Sequence, residues 1–281
     1  MSVFKVACLQ NTAERDTGPT LETLGGMVRR ARDMGAEFIA APEVCSYLEP
    51  RRRLVLEKAE PQEDHRGLDA FREWACETGA WLLAGSMVTR TEEERLANRS
   101  YLLDPTGEVV ATYDKIHMFD VDIGEGDRYR ESRTYRPGES AVTARTPLAV
   151  LGLTICYDMR FPALYRALAQ AGAEVITVPS AFTVPTGRAH WHVLLRSRAI
   201  ETGCFIVAPA QVGEHAEGRR TYGHSLIVAP WGEVLADGGE EPGIVTAEID
   251  TALVAEARGR VPSLAGDRPF VLPPAWQEAA E

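Results

Sequence analysis

Short apolar runs alternate with stretches of helical periodicity along most of the chain. Phe4–Gln10 is a mostly apolar run of strand length, and it predicts a buried strand. Leu21, Leu24, Met27, Val28 and Ala31 recur at helical spacing, and Gly35 stops that helix before a second apolar run, Glu37–Ala41. Leu68, Phe71, Trp74 and Ala75 mark another amphipathic helix, followed by a strand at Trp81–Ser86. Asn98–Leu103 and Glu108–Tyr113 flank Asp104-Pro105-Thr106-Gly107, whose proline and glycine suit a hairpin turn.

The same order then recurs. Leu148–Ile155 reads as a strand, Phe161–Ala171 as a helix, Glu174–Pro179 as a strand and Trp191–Thr202 as a helix. Cys204–Pro209 is the next strand, and Ser225–Ala236 a hairpin around Pro230-Trp231-Gly232. The recurrence reaches individual residues. ARDMGAEFIAAPE (31–43) resembles LAQAGAEVITVPS (168–180), ETGAWLLAGS (77–86) resembles ETGCFIVAPA (201–210), and SYLLDPTGEVVA (100–111) resembles SLIVAPWGEVLA (225–236). Three matches in one order predict two pseudo-symmetric halves, each a sheet with helices on its outer face. Packed together they make a four-layer α-β-β-α sandwich of the α/β class. No linker-like stretch separates the halves, so residues 1–281 are expected to form one domain. The segment 114–140, with Gly124, Gly126, Pro137 and Gly138, has no counterpart of its length, which marks it as a functional loop. Residues 259–281, with Pro262, Pro269, Pro273 and Pro274, read as an extended tail.

Composition narrows the function. The 281 residues carry a formal net charge of −11 and an isoelectric point near 5.2, which disfavours nucleic acid as a partner. Arg51-Arg52-Arg53 sits among acids and reads as a solvated loop. No apolar stretch approaches a membrane span and the start MSVFKVACLQ has no signal-peptide pattern. Cys8, Cys45, Cys76, Cys156 and Cys204 are scattered and never in C-x-x-C spacing, which points to reduced thiols in a cytoplasm.

Three residues stand at strand ends. Cys156 closes the apolar LGLTIC and precedes YDMRFP and a helix; a thiol on such an elbow can be a nucleophile, although a lone cysteine is more often packing. Glu43 ends FIAAPE at the place that Ser180 fills in the second half, so it shares an edge with Cys156; taken alone it reads as a surface acid. Lys115 ends the strand before IHMFD. It is either a solvated lysine or, beside Cys156, a cation that depresses the thiol and holds an oxyanion.

APE at 41–43, DK-IH-FD at 114–120 and CYDMRFP at 156–162 together resemble, in order, the three catalytic motifs of the nitrilase, or carbon–nitrogen hydrolase, superfamily. The resemblance runs nearly end to end. It implies a Glu43, Lys115, Cys156 triad, a second active-site glutamate at Glu131, and an amidase that needs no metal or other cofactor. RESRTYRPGE (130–139), GRAHWHVLLRSRAIET (187–202) and YGHSLIVAPWGEV (222–234) resemble the branch that holds ω-amidases and deaminated glutathione amidases. PSAF (179–182) and AIETGCFIVAPAQVGEH (199–215) look more like the latter. The implied reaction splits deaminated glutathione into 2-oxoglutarate and Cys-Gly. An ω-amidase of 2-oxoglutaramate, an N-carbamoyl amino acid hydrolase and, outside enzymes, a silent oligomeric binding module are the alternatives. Asp114, Ala163 and Cys45 depart from the usual pattern without removing a triad member.

The thiolate would attack an amide carbonyl after Glu43 takes its proton, with Lys115 and the Tyr157 N–H on the oxyanion. A substrate rich in carboxylates calls for cations: Arg128, Arg130, Arg133 and Arg160 are nearest in sequence, with Arg130 and Arg160 favoured for the pocket and an ion pair to Asp158 as the bland alternative for Arg160. A papain-like Cys–His pair could draw on His117, His190, His192 or His224, but no protease signature surrounds Cys156. His190 and His192 point to different faces of one helix, so a metal site built on the pair is not expected. The resemblance also implies homodimers, or higher homo-oligomers, joined through 161–171 and 190–202; Leu164, Leu168, Trp191 and Leu195 are candidate contacts unless they face their own sheet.

Overall fold

The computed structural model describes residues 2–92, 95–124 and 128–272; Gly126, Pro273 and Pro274 lie outside them. The first half runs β1 (Val3–Gln10), α1 (Thr17–Asp33), β2 (Phe38–Ala40), α2 (Arg52–Lys58), the two-residue β3 (Glu60–Pro61), α3 (Arg66–Thr78), β4 (Trp81–Arg90), β5 (Ala97–Leu103) and β6 (Val109–Asp114). A ribbon of β7 (Asp120–Asp122) and β8 (Arg128–Arg130) follows. The second half runs β9 (Val142–Arg145), β10 (Val150–Leu153), α4 (Pro162–Gln170), β11 (Val175–Thr177), α5 (Val184–Thr202), β12 (Phe205–Ala208), β13 (Val212–Glu214), β14 (Arg220–Tyr222), β15 (Leu226–Val228), β16 (Val234–Asp237), β17 (Gly243–Asp250) and α6 (Ala252–Arg260).

Two large sheets form, one per half, ordered β17-β1-β2-β4-β5-β6 and β16-β15-β12-β11-β10-β9, with β17 of the second half completing the first. Both have three parallel strands at the centre, an antiparallel hairpin on one side and an antiparallel strand beside the first parallel one. The internal repeat is therefore a repeat of topology.

Alternation along the strands sorts side chains into layers. In β1, Phe4, Val6 and Cys8 face the second sheet and share a core with Leu151, Leu153, Val175 and Phe205. Ala7 and Leu9 face the other way, against Leu24, Met27 and Val28 of α1 and Leu68 and Phe71 of α3. On the far side, Leu164 and Leu168 of α4 and Trp191 and Leu195 of α5 cover the second sheet. The order is helix, sheet, sheet, helix, as the repeat predicted.

Several details differ. α5 begins at Val184, seven residues before the predicted start, because Pro185 lies in a first turn that tolerates proline and Gly187 packs against Tyr222, where a Cβ would come within 2.2 Å of the ring. β17 was not foreseen; it returns from the second half to pair with all of β1, Val3 to Asp250 and Gln10 to Gly243. The arginine triplet is not a loop: Arg51 precedes α2 and Arg52 and Arg53 open it. Gly259 and Arg260 belong to α6, so the irregular tail begins at Val261. Leu164, Leu168, Trp191 and Leu195 face their own sheet, the other reading of these residues, and leave little surface for a second chain. Among the described residues no helix is long and apolar enough to cross a membrane.

Candidate active site

Glu43 lies three residues beyond β2, where the chain crosses the edge of the first sheet. Ala41 stays in register through its N–H to the Leu83 carbonyl (2.9 Å). Gly85 makes that approach possible: a Cβ there would come within 1.9 Å of the Ala41 carbonyl. The Glu43 carboxylate is buried. Its Oε1 accepts from Lys115 Nζ (2.8 Å) and Asn98 Nδ2 (3.0 Å), and its Oε2 from the Ala181 N–H (2.8 Å). Ala181 follows Ser180, the repeat partner of Glu43, so the two strand ends meet.

Lys115 follows β6 and is 2% exposed. Its N–H reaches the Asn98 carbonyl (3.0 Å), and its own carbonyl accepts from Gly138 (2.8 Å), which ties down both ends of the long segment. The ammonium sits between two carboxylates, with Glu131 Oε1 and Oε2 at 3.0 and 2.9 Å. Glu131 opens a short 3-10 turn, and its Oε2 accepts from the Phe119 N–H (2.6 Å). Asp114, a departure from the usual pattern, is neutralised by a two-pronged Arg99 contact (2.6 and 2.9 Å) and by Arg136 (3.0 Å).

Cys156 stands at the predicted elbow. Its φ is +49°, a left-handed value that few non-glycine residues adopt, and its N–H bonds the Pro179 carbonyl (2.9 Å). The 3-10 turn Cys156–Arg160 is held from inside by Asp158. That buried carboxylate accepts from the Ile155 N–H (2.9 Å), Tyr113 hydroxyl (2.7 Å), His117 N–H (3.0 Å) and His117 Nδ1 (2.7 Å). Asp158 thus fastens the elbow to the residues on either side of Lys115.

Glu43, Lys115, Glu131 and Cys156 open on one cavity of about 380 Å³. Arg128, Arg130 and Arg133 line it, as do Arg52 and Arg219, which sequence reasoning missed. Arg160 does not reach its wall. It contacts His190 Nδ1 (3.2 Å) and lies over the rings of Tyr157 and Phe182 (5.7 and 5.4 Å), and only Phe182 lines the cavity. Its expected alternative, a pair with Asp158, is not formed either, because Asp158 is occupied by the donors named above. Tyr157 packs edge-on against Phe119 (5.2 Å), its side chain outside the lining.

The sequence signature of the carbon-nitrogen hydrolase family matches residues 5–259. The chain belongs to this family. It is similar to the deaminated glutathione amidase of Yersinia enterocolitica, 40% identical over 95% of this chain and 94% of that one. The human protein of the same name is 41% identical over 94% of this chain and 82% of its own length. The crystal structure of the Caenorhabditis elegans NitFhit protein superposes with a TM-score of 0.90 at 34% identity, covering 95% of this chain and 66% of that one. The chain is a hydrolase of linear amides.

Electrostatics in this hydrolase set the resting protonation. Burial pushes the Glu43 carboxyl up, but the Lys115 charge and the bonds from Lys115, the Cys156 thiol and Ala181 together hold it below the usual carboxylate range. Burial pulls Lys115 down, and Glu131 and Glu43 more than reverse this, so it stays a cation. Burial and the Glu43 charge push the Cys156 thiol far up; Lys115 opposes them and loses. The expectation of a thiol depressed by Lys115 is therefore not met at rest. Burial and the neighbouring carboxylate thus favour the thiol over the thiolate, which suits transfer of the sulfur proton during attack.

Asn98 was also missed. It is the second residue of β5, and its amide bridges Glu43 and Glu131 (3.0 and 3.2 Å). A buried asparagine in an apolar strand was the available signal. The papain-like alternative fails on geometry: His117 does not line the cavity, and it is held by Asp158 and stacked on Phe161 (3.5 Å, 8°).

Proposed function

We propose that this hydrolase works through a thioester on Cys156, with Glu43 as general base and acid and Lys115 as the oxyanion partner. The observation that carries the reading is the buried cluster in which Lys115 bridges Glu43 and Glu131 on the same cavity as Cys156. Glu43 takes the thiol proton as Sγ attacks the amide carbonyl. Lys115 Nζ and the Tyr157 N–H face the oxygen that gains charge, each such donor contributing about 3–4 kcal/mol. Glu43 passes its proton to the leaving nitrogen, the C–N bond breaks, and the thioester remains. Glu43 then deprotonates water for the second attack, which frees the acid and the thiol. Glu131 fixes Lys115, with both its carboxylate oxygens on the ammonium.

The substrate we propose is deaminated glutathione, giving 2-oxoglutarate and Cys-Gly. Its two carboxylates suit a cavity lined by Arg52, Arg128, Arg130, Arg133 and Arg219 in a protein of net charge −11. Among the described residues, the buried Tyr47 hydroxyl and Arg219 Nε have no hydrogen-bond partner, which leaves two donors at this cavity for a substrate. The names of the Yersinia and human relatives support the same substrate. The test is kcat/KM for deaminated glutathione against 2-oxoglutaramate, succinamate, an N-carbamoyl amino acid and an aliphatic nitrile. We expect the first to lead by about tenfold or more, a difference of about 1.4 kcal/mol. A lead for the nitrile or an uncharged amide contradicts the assignment.

We also propose a cytoplasmic homodimer. The thiols described are all free, four of them buried. The exposed apolar residues on α5 are Val193 and Ile200, two turns apart, with Trp231 near Ile200 across a shared groove. Light scattering should give twice the 30.8 kDa chain mass at micromolar concentration. The Val193→Glu, Ile200→Glu double variant should shift it to monomer; a wild-type monomer contradicts the dimer.

A further inference from the structure

His190 and His192 diverge on α5, as helical spacing requires. His190 meets Arg160, whereas His192 meets two residues that are distant in sequence. His192 Nε2 lies 2.9 Å from Asp237 Oδ2, and His224 Nδ1 lies 2.8 Å from Asp237 Oδ1. One ligand atom from each of the three falls within 4.8 Å of the others. The three come from separate elements: α5, the approach to β15 and the end of β16. All are partly exposed, and none lines the Cys156 cavity.

Their backbones are fixed. His224 has a φ of +54°, a value a histidine rarely holds. It is kept there by its N–H to the Gly239 carbonyl (2.7 Å) and by Trp191 Nε1, which donates to its carbonyl (2.8 Å). The ring of Tyr222 stacks on its imidazole at 4.5 Å and 26°. The Gly239 N–H bonds Asp237 Oδ1 (2.9 Å). Glu240 Oε1 stands 4.0 Å from His224 Nε2, the nitrogen turned away from the cluster, where a carboxylate orients a ligating imidazole.

We propose that His192, His224 and Asp237 bind one divalent transition-metal ion of the zinc class, separate from the catalytic cavity, clasping α5 to the β15–β16 hairpin. Two imidazoles and a carboxylate suit Zn²⁺ and its neighbours and do not suit Mg²⁺ or Ca²⁺. Ligand atoms around a tetrahedral zinc with bonds of about 2.0–2.1 Å stand roughly 3.3 Å apart. The observed separations, all within 4.8 Å, are of that order. Without metal, the facing imidazole nitrogens carry N–H groups that the carboxylate accepts. With metal, the protons occupy the opposite ring nitrogens. Three protein ligands leave the fourth position to water.

The test is calorimetric titration of Zn²⁺ into the Cys156→Ala protein, which lacks the thiol that could itself bind zinc. The proposal expects one ion per chain. His192→Ala, Asp237→Ala and His224→Asn, the last chosen because asparagine tolerates a left-handed backbone, should each weaken binding at least about tenfold, the least that losing even an outer partner of a zinc ligand costs. Co²⁺ in the site should show the visible bands of a four-coordinate ion without thiolate charge transfer, and His192→Ala should abolish them. Absence of stoichiometric binding, or binding unchanged in His192→Ala and Asp237→Ala, overturns the site and leaves a carboxylate hydrogen-bonded to two histidines.

Discussion

Cys156→Ala should abolish amide hydrolysis, a loss on the order of 10⁴-fold or more, while the protein stays folded. The reacting sulfur would be gone, yet Glu43 would keep Lys115, Asn98 and the Ala181 N–H. Alanine at the φ of +49° bears the same kind of strain as cysteine. Cys45 is the control. It lies two residues past Glu43 but packs into the first half's outer core, where burial raises its thiol to about 12. Cys45→Ala should keep wild-type turnover and cost on the order of 1 kcal/mol of stability. Rates and thermal melts of the two variants check both statements. A dead Cys45→Ala beside an active Cys156→Ala would overturn the assignment.

Glu43→Gln should lower kcat by about 10³-fold, within the range of one general acid–base group but used twice in this cycle. The amide cannot take the thiol proton, and burial disfavours the thiolate that would bypass the step. Stability should change too. Because the folded Glu43 carboxyl is held below its unfolded value of about 4.3, its contribution is fully present above that pH. It is lost as pH falls through the lower folded value. Glu43→Gln should therefore lose stability at neutral pH and show a shallower acid denaturation slope. Lys115 keeps Glu131 as a counterion, so the variant should lose less than the about 3–5 kcal/mol of a fully orphaned buried charge. Urea unfolding at neutral and acidic pH measures the difference, and an unchanged burst of released amine would contradict the proton-transfer role.

Much of this was legible in the sequence because strands and helices here carry clean periodicities, and because the chain repeats itself. The repeat placed Glu43 at the position of Ser180, and the structure joins Glu43 to Ala181 next door. What failed depends on contacts between distant segments. β17 alternates only weakly, and its identity as a strand comes from lying along β1. The first turns of α5 look like a break until Tyr222 is seen filling the space at Gly187. Asn98, Arg52 and Arg219 reach the site from elements that no local pattern links to Cys156. The direction of the thiol's shift was misread because charge proximity is visible in sequence and depth of burial is not; here burial is the larger effect.

The most direct test of the account is mass spectrometry of the wild-type enzyme acid-quenched during turnover of deaminated glutathione. The account predicts one acyl group per chain, of the mass of the 2-oxoglutaryl residue, on the peptide that contains Cys156, and none on Cys156→Ala. An acyl group on Cys45 or Cys76, or steady turnover with no covalent adduct under conditions where thioester hydrolysis limits the rate, would contradict it.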